Sequence, residues 1–398
     1  MLSQQILLIL NRTYVTLCIA LLGVAQPAVA FETPAKAAFV IDQTTGTILL
    51  SKNADTSLPP ASMSKLMTLY IAFEALRDGR LRLDEELPVS KHAMAYGGST
   101  MFLNTTDRVR VEDLLRGIIV LSGNDACAVI AEALSPTGTE SGFAAQMNQR
   151  AKELGMTKSH FANSNGWPDS SHLMSMRDLA LLADRIISDF PDFYPMFAEK
   201  TFLFDGRAKS NTLNRNPLLW LDIGADGLKT GHTKEAGYGI VGSAKQGERR
   251  VIFVLSGLDS ARDRAKQSEA IVNWSFRQFA KHKIANAETQ IATAYVWMGA
   301  ESKIGLVAGK PLEILRPVFG NRELKAQVTY RGPIPAPIKK GDVLAQLIIS
   351  SDGLPEQSIP LMAAQDVATG GIFERVLTSA RVLIRRFSQG STTPEGAS

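Results

Sequence analysis

Three short polar motifs hold the residue types that nucleophilic catalysis needs: Ser-x-x-Lys at residues 62–65, Ser-x-Asn at residues 122–124 and Lys-Thr-Gly at residues 229–231. The first motif follows two prolines, so we expect it in the first turn of a helix, where Ser62 and Lys65 share one face with Cβ atoms about 5–6 Å apart. A serine hydroxyl attacks a carbonyl only after a base takes its proton, and a lysine is such a base when burial or a second cation lowers its pKa. The spacing therefore indicates an activated serine.

Each motif alone also has an ordinary structural explanation. Ser-x-x-Lys occurs by chance at a capped helix with a solvated lysine, and Ser-x-Asn between two helical stretches fits a plain turn, since residues 51–53 match the same pattern. Lys-Thr-Gly fits the end of a strand, although Gly231 would let a substrate backbone come close. The order of the three motifs on helix, loop and strand is stronger evidence, because it is the signature of penicillin-binding proteins and class A β-lactamases.

Longer matches surround the three motifs, at residues 60–65, 121–127, 213–216 and 226–232. With them the chain resembles the low-molecular-mass penicillin-binding proteins, the serine-type D-Ala-D-Ala carboxypeptidases of peptidase family S11, from about residue 31 to the C-terminal helix. The resemblance implies that Ser62 is acylated, that Lys65 is its base and that Ser122 assists proton transfer. It also implies a substrate-binding set made of Asn124, Lys229, Thr230, Gly231, His232, Arg264 and Arg215.

Different members of this set would meet different parts of the substrate. Lys229 supplies a cation for a terminal carboxylate, and its charge also disfavours protonation of Lys65. The backbone N–H groups of Ser62 and His232 would form the oxyanion hole that the family uses. Two arginines, Arg264 and Arg215, occupy positions where similar enzymes keep arginines near the cleft, and residues 97–100 resemble the family's mobile cleft loop.

The reaction that the resemblance implies is removal of the terminal D-alanine from peptidoglycan stem pentapeptides through an acyl-enzyme on Ser62, without a metal or cofactor. β-Lactams would acylate the same serine and act as covalent inhibitors. A β-lactamase is the nearest alternative, but class A enzymes carry Ser-Asp-Asn where this chain has Ser-Gly-Asn. A non-catalytic wall-binding protein is a second alternative, against which the three intact motifs argue. The sequence is equally compatible with endopeptidase or transpeptidase action.

Helical and strand patterns alternate in the region that must position these motifs. A hairpin pattern at residues 37–50 precedes helical patterns at 66–76, 111–120, 125–134, 142–154 and 176–187, and strand patterns at 237–244 and 250–255 precede a helical pattern at 267–279. We expect an α+β catalytic domain over residues 31–283, a penicillin-recognising serine transpeptidase/β-lactamase-like domain with helices and an antiparallel sheet. Short β patterns then predict a small all-β domain over residues 284–368.

The start of the chain predicts export. Arg12, an apolar run and the small-residue sequence at 28–30 indicate a signal peptide over residues 1–30. A membrane anchor is the alternative, but the run is shorter than the roughly 20 residues that a spanning helix needs. Removal of the signal would leave Cys127 as the only thiol, which we place in the core because it lies in an apolar helical pattern.

The end of the chain predicts a membrane-anchoring amphipathic helix over residues 369–387, followed by a disordered tail over 388–398. Between Ile372 and Phe387 the apolar residues share one helical face and arginines fill the other, which is typical of a helix in the membrane interface. A helix docked on the protein's own core is the alternative. We therefore expect a peripheral protein on the periplasmic side of the cytoplasmic (inner) membrane. The net charge of +4 is too small to indicate a nucleic-acid partner.

Overall fold

The structure, a computed structural model, describes residues 31–207, 210–318, 324–351, 354 and 356–371. The predicted signal peptide, the amphipathic pattern at residues 372–387 and the predicted tail lie outside these residues. Among the described residues, no helix is both long enough and apolar enough to cross a membrane.

Helices and strands alternate as far as residue 277, and only strands follow in the described part of the chain. The helices are α1 (Lys65–Arg77), α2 (Lys91–Met94), α3 (Val111–Arg116), α4 (Asn124–Leu134), α5 (Glu140–Leu154), α6 (Met176–Asp189) and α7 (Ala261–Arg277). The strands are β1 (Ala37–Asp42), β2 (Thr47–Lys52), β3 (Glu86–Pro88), β4 (Arg108–Arg110), β5 (Ala225–Thr233), β6 (Gly237–Gln246), β7 (Arg249–Leu258), β8 (Phe279–Ala285), β9 (Gln290–Trp297), β10 (Lys303–Val307), β11 (Leu312–Pro317), β12 (Leu324–Thr329), β13 (Ile334–Pro335), β14 (Val343–Ser351) and β15 (Gln357–Ala363).

A five-stranded antiparallel sheet, in the order β2-β1-β7-β6-β5, forms the centre of the first region. Its apolar side chains alternate between two clusters, because successive residues of a strand point to opposite faces. In β1, Phe39 belongs to the cluster that contains α1, α4 and α6, whereas Val40 belongs to the cluster that contains α7. Helices therefore cover both faces, and β5, which carries the Lys-Thr-Gly motif, lies at one edge.

Helix α1 is a core helix. Every residue from Lys65 to Ala75 is buried, and the helix contacts α4 and α6. A helix that is apolar on nearly all sides is stable only when other elements surround it. Because Lys65 is the first residue of this helix, its long side chain is drawn into the interior of the protein.

The second region consists of strands alone. Six strands form a sheet in the order β12-β14-β15-β10-β9-β13, while β8 and β11 pair with each other. The two regions meet at Gln357 of β15, whose side chain accepts a hydrogen bond from Thr47 Oγ1 at 3.2 Å and donates one to the Thr45 carbonyl at 2.9 Å. The short β patterns predicted over residues 290–298, 303–306, 313–318, 324–330 and 342–350 are all strands, and the pattern analysis missed β8, β13 and β15.

The structure confirms the predicted hairpin and most helices but corrects the bounds of two helices. The pattern placed at residues 267–279 begins earlier, at Ala261, because Ser260 Oγ caps the helix by accepting from Asp263 N at 3.0 Å. It ends at Arg277, and Phe279 begins β8. The helix predicted over 111–120 is α only to Arg116 and continues as a π-helical turn over Gly117–Leu121. Cys127 is buried in α4, as predicted.

Candidate active site

Ser62 lies in a short 3₁₀ turn, Ala61–Ser64, that leads directly into α1. The motif thus lies in this 3₁₀ turn and the first residue of α1, rather than within the first turn of an α-helix as the sequence suggested. Edge strand β5 runs close beside the turn, since a Cβ added to Gly231 would lie 2.8 Å from the Pro60 carbonyl oxygen and 3.2 Å from the Ala61 Cβ. Only glycine permits this approach, which brings the Lys-Thr-Gly strand next to the serine.

The ammonium group of Lys65 donates three hydrogen bonds, and Ser62 receives one of them. Its Nζ lies 2.8 Å from Ser62 Oγ, 2.7 Å from Asn124 Oδ1 and 2.6 Å from the Asn165 carbonyl oxygen. Burial lowers the pKa of Lys65 to about 8, and the charge of Arg215 lowers it as well. A neutral amine has two hydrogens and one lone pair. With the two hydrogens given to Asn124 and Asn165, the lone pair faces the Ser62 hydroxyl.

The second and third motifs meet each other through Ser122 and Lys229. Ser122 has a left-handed backbone conformation, with φ of 63°, at the end of the π-helical turn, and its Oγ accepts from Lys229 Nζ at 3.0 Å. Lys229 also donates to the Thr230 carbonyl at 3.3 Å. Burial, followed by the positive charge of Lys65, lowers the pKa of Lys229 well below its usual value. The sequence suggested that Lys229 lowers the pKa of Lys65. Burial is instead the main cause of that lowering, and Arg215 is the cation that adds to it, whereas Lys65 lowers the pKa of Lys229.

Neither lysine forms a salt bridge with any of the residues that the structure describes. A buried cation without a carboxylate is costly unless a ligand supplies the missing charge. The carboxylate of a substrate is such a ligand. The hydrogen-bond acceptors of Lys229, Ser122 Oγ and the Thr230 carbonyl oxygen, are both neutral. Together a serine, a buried lysine base and a second cation can carry out acyl transfer from a substrate that ends in a free carboxylate.

The two predicted arginines, Arg215 and Arg264, differ in exposure and contact each other. Arg215 donates to Ser99 Oγ at 2.7 Å and is exposed, whereas Arg264 is 9% exposed and donates to the Arg215 carbonyl at 3.3 Å. Arg264 also lies 5.7 Å from the centroid of Tyr238, whose ring stacks on His232 at 3.9 Å. Arg215 is thus the arginine available to a ligand, and Arg264 supports it and the end of β5 from behind.

The loop at residues 97–100 is joined to the second motif through Asn124. The Asn124 side chain donates to the Gly97 carbonyl at 2.9 Å, and its backbone N–H donates to the Ser99 carbonyl at 2.7 Å. Since the same side chain accepts from Lys65, Asn124 connects the predicted cleft loop to this lysine.

Sequence reasoning missed the segment around Asn165 and the carboxylate that holds it. Glu140 is 8% exposed and accepts from Ser164 N at 2.9 Å, Ser164 Oγ at 2.5 Å, His92 Nε2 at 2.6 Å and Tyr96 OH at 2.7 Å. Burial raises the pKa of Glu140, but these hydrogen bonds outweigh it and the net pKa is lowered. The Asn-Ser-Asn-Gly run at 163–166 marks a turn in the sequence, yet nothing local shows that its carbonyl reaches Lys65.

Comparison with known proteins places these features in a family. Residues 23–260 match the D-alanyl-D-alanine carboxypeptidase family, peptidase S11, and residues 279–369 match the C-terminal domain of penicillin-binding protein 5. The D-alanyl-D-alanine carboxypeptidase DacC of Escherichia coli (strain K12) is 36% identical over 359 residues, 88% of this chain and 88% of that protein. Penicillin binding protein 5 from Haemophilus influenzae is a solved structure with 32% identity and a TM-score of 0.73, covering 85% of this chain and 98% of that one. Penicillin-binding protein D2 from Listeria monocytogenes in the ampicillin bound form has 33% identity and a TM-score of 0.55, covering 62% of this chain and 98% of that one.

Proposed function

The chain belongs to the D-alanyl-D-alanine carboxypeptidase family of serine peptidases, and we propose on that premise that Ser62 is the nucleophile of the reaction. The observation that supports this role most strongly is the 2.8 Å hydrogen bond between Ser62 Oγ and Lys65 Nζ, together with the lowered pKa of that lysine. A lysine that is partly neutral near pH 8 can accept the serine proton, which an ordinary surface lysine cannot.

In the acylation step, the neutral amine of Lys65 takes the Ser62 proton while Oγ bonds to the carbonyl carbon of the penultimate D-alanine. The backbone N–H groups of Ser62 and His232 stabilise the resulting oxyanion, a contribution typically of about 3–4 kcal/mol for each donor. The bond to the terminal D-alanine then breaks, and its nitrogen receives a proton passed through Ser122. Contact of Ser122 Oγ with Lys229 supports a place for this hydroxyl in the proton path.

The terminal carboxylate of the substrate is held by Lys229 and the Thr230 hydroxyl in this proposal, with Arg215 close by. A charge-assisted hydrogen bond to a buried ammonium is stronger than one between neutral groups. Water then hydrolyses the acyl-enzyme and releases the shortened peptide. A β-lactam presents a carboxylate and a strained amide to the same groups, so it forms a covalent adduct on Ser62, which agrees with the ampicillin bound form of the Listeria relative.

The cellular setting is also part of the proposal. We propose that residues 1–30 direct export, that residues 31–283 form the catalytic domain and that residues 284–368 form a separate all-β domain. The two family matches, over residues 23–260 and 279–369, support this division. The helix at residues 369–387 then attaches the enzyme to the periplasmic surface of the inner membrane, on the evidence of its amphipathic pattern.

A D-alanine release assay with a diacyl-L-Lys-D-Ala-D-Ala peptide, run beside penicillin hydrolysis, tests the reaction class. The proposal expects steady D-alanine release from the peptide and a slowly reversed penicillin adduct. Rapid turnover of penicillin with no release of D-alanine would instead favour the β-lactamase alternative. Adding an amine acceptor to the same reaction would reveal transpeptidation as a second peptide product.

A further inference from the structure

Glu140, the first residue of α5, is a buried carboxylate that none of the proposed acyl-transfer steps uses. Its two oxygens accept hydrogen bonds from different segments of the chain. Oε1 accepts from the N–H and the hydroxyl of Ser164, at 2.9 and 2.5 Å, whereas Oε2 accepts from Tyr96 OH at 2.7 Å. Ser164 belongs to the turn at residues 163–166, and Tyr96 directly precedes the cleft loop at residues 97–100. One carboxylate therefore joins these two segments.

Both segments place hydrogen-bond acceptors around Lys65. The Asn165 carbonyl, in the turn, lies 2.6 Å from Lys65 Nζ. The Gly97 carbonyl, in the cleft loop, accepts from the Asn124 side chain at 2.9 Å, and the amide oxygen of that side chain accepts from Lys65 Nζ at 2.7 Å. Once both hydrogens of the neutral amine are engaged in this way, its lone pair has one direction left, toward Ser62. The direction of the lone pair therefore depends on the two segments that the carboxylate joins.

The two segments also pack against each other and help to bury Lys65. The rings of Tyr96 and Trp167 meet edge to face, with centroids 5.8 Å apart, and a Cβ added to Gly97 would lie 3.8 Å from the Trp167 ring. Lys65 itself is 0% exposed, and burial is the main cause of its lowered pKa. If the segments separated, water would reach the amine and its pKa would rise toward the ordinary value for lysine. Contact between the segments thus keeps Lys65 available as a base.

The charge of Glu140 has the opposite effect on the buried lysine. Glu140 is ionised, because its hydrogen bonds outweigh burial, and its negative charge raises the pKa of that lysine. Burial raises the pKa of Tyr96 and that of Cys127, the latter to about 12, and lowers that of His172 to about 4, so these three neighbours are neutral between pH 6 and pH 10. The side chain of His92, on α2, is 54% exposed, so solvent screens its charge. Glu140 thus acts on the lysine in two ways, through its charge and through the segments that it joins.

We propose that Glu140 is a positioning residue for acylation: by holding the turn at residues 163–166 and the cleft loop together, it fixes the acceptors of Lys65 and keeps water from the amine. Its contacts are with Ser164, Tyr96 and His92, so it acts through these segments and not on the substrate. The inference rests on the proposed function, since it takes Lys65 as the base that activates the serine.

The acylation rate with a chromogenic β-lactam, measured from pH 6 to pH 10, separates the two effects in two variants. Glu140→Gln keeps an oxygen for Ser164 and an amide that donates to the Tyr96 hydroxyl, so the segments stay joined and only the charge is lost. The rising limb of its pH profile should stay in place or move to lower pH. Glu140→Ala separates the segments as well, so the limb should move to higher pH by about one unit, with a rate about tenfold slower at pH 7. A purely structural role would reduce the amount of active enzyme and leave the limb in place.

Glu132→Ala is the matched control, because it removes another partly buried carboxylate, one that accepts from Ser90 Oγ at 2.8 Å, on the neighbouring helix α4. Its rising limb should stay at the wild-type pH. If Glu140→Ala does not fold, Tyr96→Phe and Ser164→Ala each remove one of the hydrogen bonds that join the segments. Each should move the limb to higher pH, with a rate about threefold slower at pH 7.

A limb that stays in place in Glu140→Ala, or in both Tyr96→Phe and Ser164→Ala where that variant does not fold, would overturn the positioning role. A limb that moves upward in Glu140→Gln as far as in Glu140→Ala would also overturn it, because keeping the segments joined would then make no difference. Absence of a rising limb in the wild type would instead contradict Lys65 as the base, and with it the proposed function.

Discussion

Replacing Asn124 with aspartate places a negative charge about where the amide oxygen now accepts from Lys65 Nζ, at 2.7 Å. An opposite charge at this distance favours the protonated lysine and typically changes a pKa by about 1–3 units. The pKa of Lys65, now about 8, would rise accordingly. The neutral fraction at pH 7, and with it the acylation rate, would fall by about 10-fold to 1,000-fold.

The rate of acylation by a chromogenic β-lactam, followed by stopped flow from pH 6 to pH 10, measures this change. In the wild type the rate rises with pH as Lys65 loses its proton near pH 8. In Asn124→Asp the rising limb moves to higher pH. Asn124→Ala is the matched control, because it removes the same hydrogen bond without adding charge and should not move the limb upward. If the acylation rate of Asn124→Asp were reduced by the same factor at every pH, the pKa of Lys65 would not control the rate, which would refute Lys65 as the base.

Three further changes test other parts of the site. Lys229→Ala should lower kcat/KM for D-alanine release by about 10-fold to 150-fold, because the substrate carboxylate loses a charge-assisted partner, and unchanged kinetics would show that the carboxylate binds elsewhere. Glu140→Ala should lower the free energy of unfolding in urea by about 3–5 kcal/mol, since Ser164 and Tyr96 lose buried partners, and a loss under about 1 kcal/mol would contradict that role. A chain that ends at Gly371 should keep its activity on soluble peptides and lose sedimentation with membranes, whereas loss of folding would assign the helix to the protein core.

The fold was predictable because its local patterns agree with its packing. Alternation in β1 sends Phe39 and Val40 to opposite faces of the central sheet, and the matching family and solved structures confirm the α+β class with a following all-β region. The start of α7 was missed because the residues that its first turns bury, Arg264 and Ser268, are polar, so the apolar pattern begins only near Ile271. The cap at Ser260 was the available signal.

The site was predictable to the extent that it is local in sequence. Ser62 and Lys65 meet because three residues make one turn, and the hydrogen bond between them follows from that spacing. Asn165 and Glu140 were not predictable in this way. The Asn165 carbonyl meets a lysine 100 positions earlier in the chain, through a backbone oxygen that every residue type has. Only the folded arrangement of α1, α5 and the turn at 163–166 shows which carbonyl accepts a hydrogen bond from Lys65.

Mapping the covalent adduct tests the central claim most directly. The protein is incubated with benzylpenicillin, digested, and the modified peptide is sequenced by tandem mass spectrometry, with Ser64→Ala as the control for the other serine of the motif. We predict one penicilloyl group per chain, on Ser62, present in Ser64→Ala and absent from Ser62→Ala, with D-alanine release lost in the same variant. An adduct that forms at full yield in Ser62→Ala, or that maps to another residue, would contradict the assignment of Ser62 as the nucleophile.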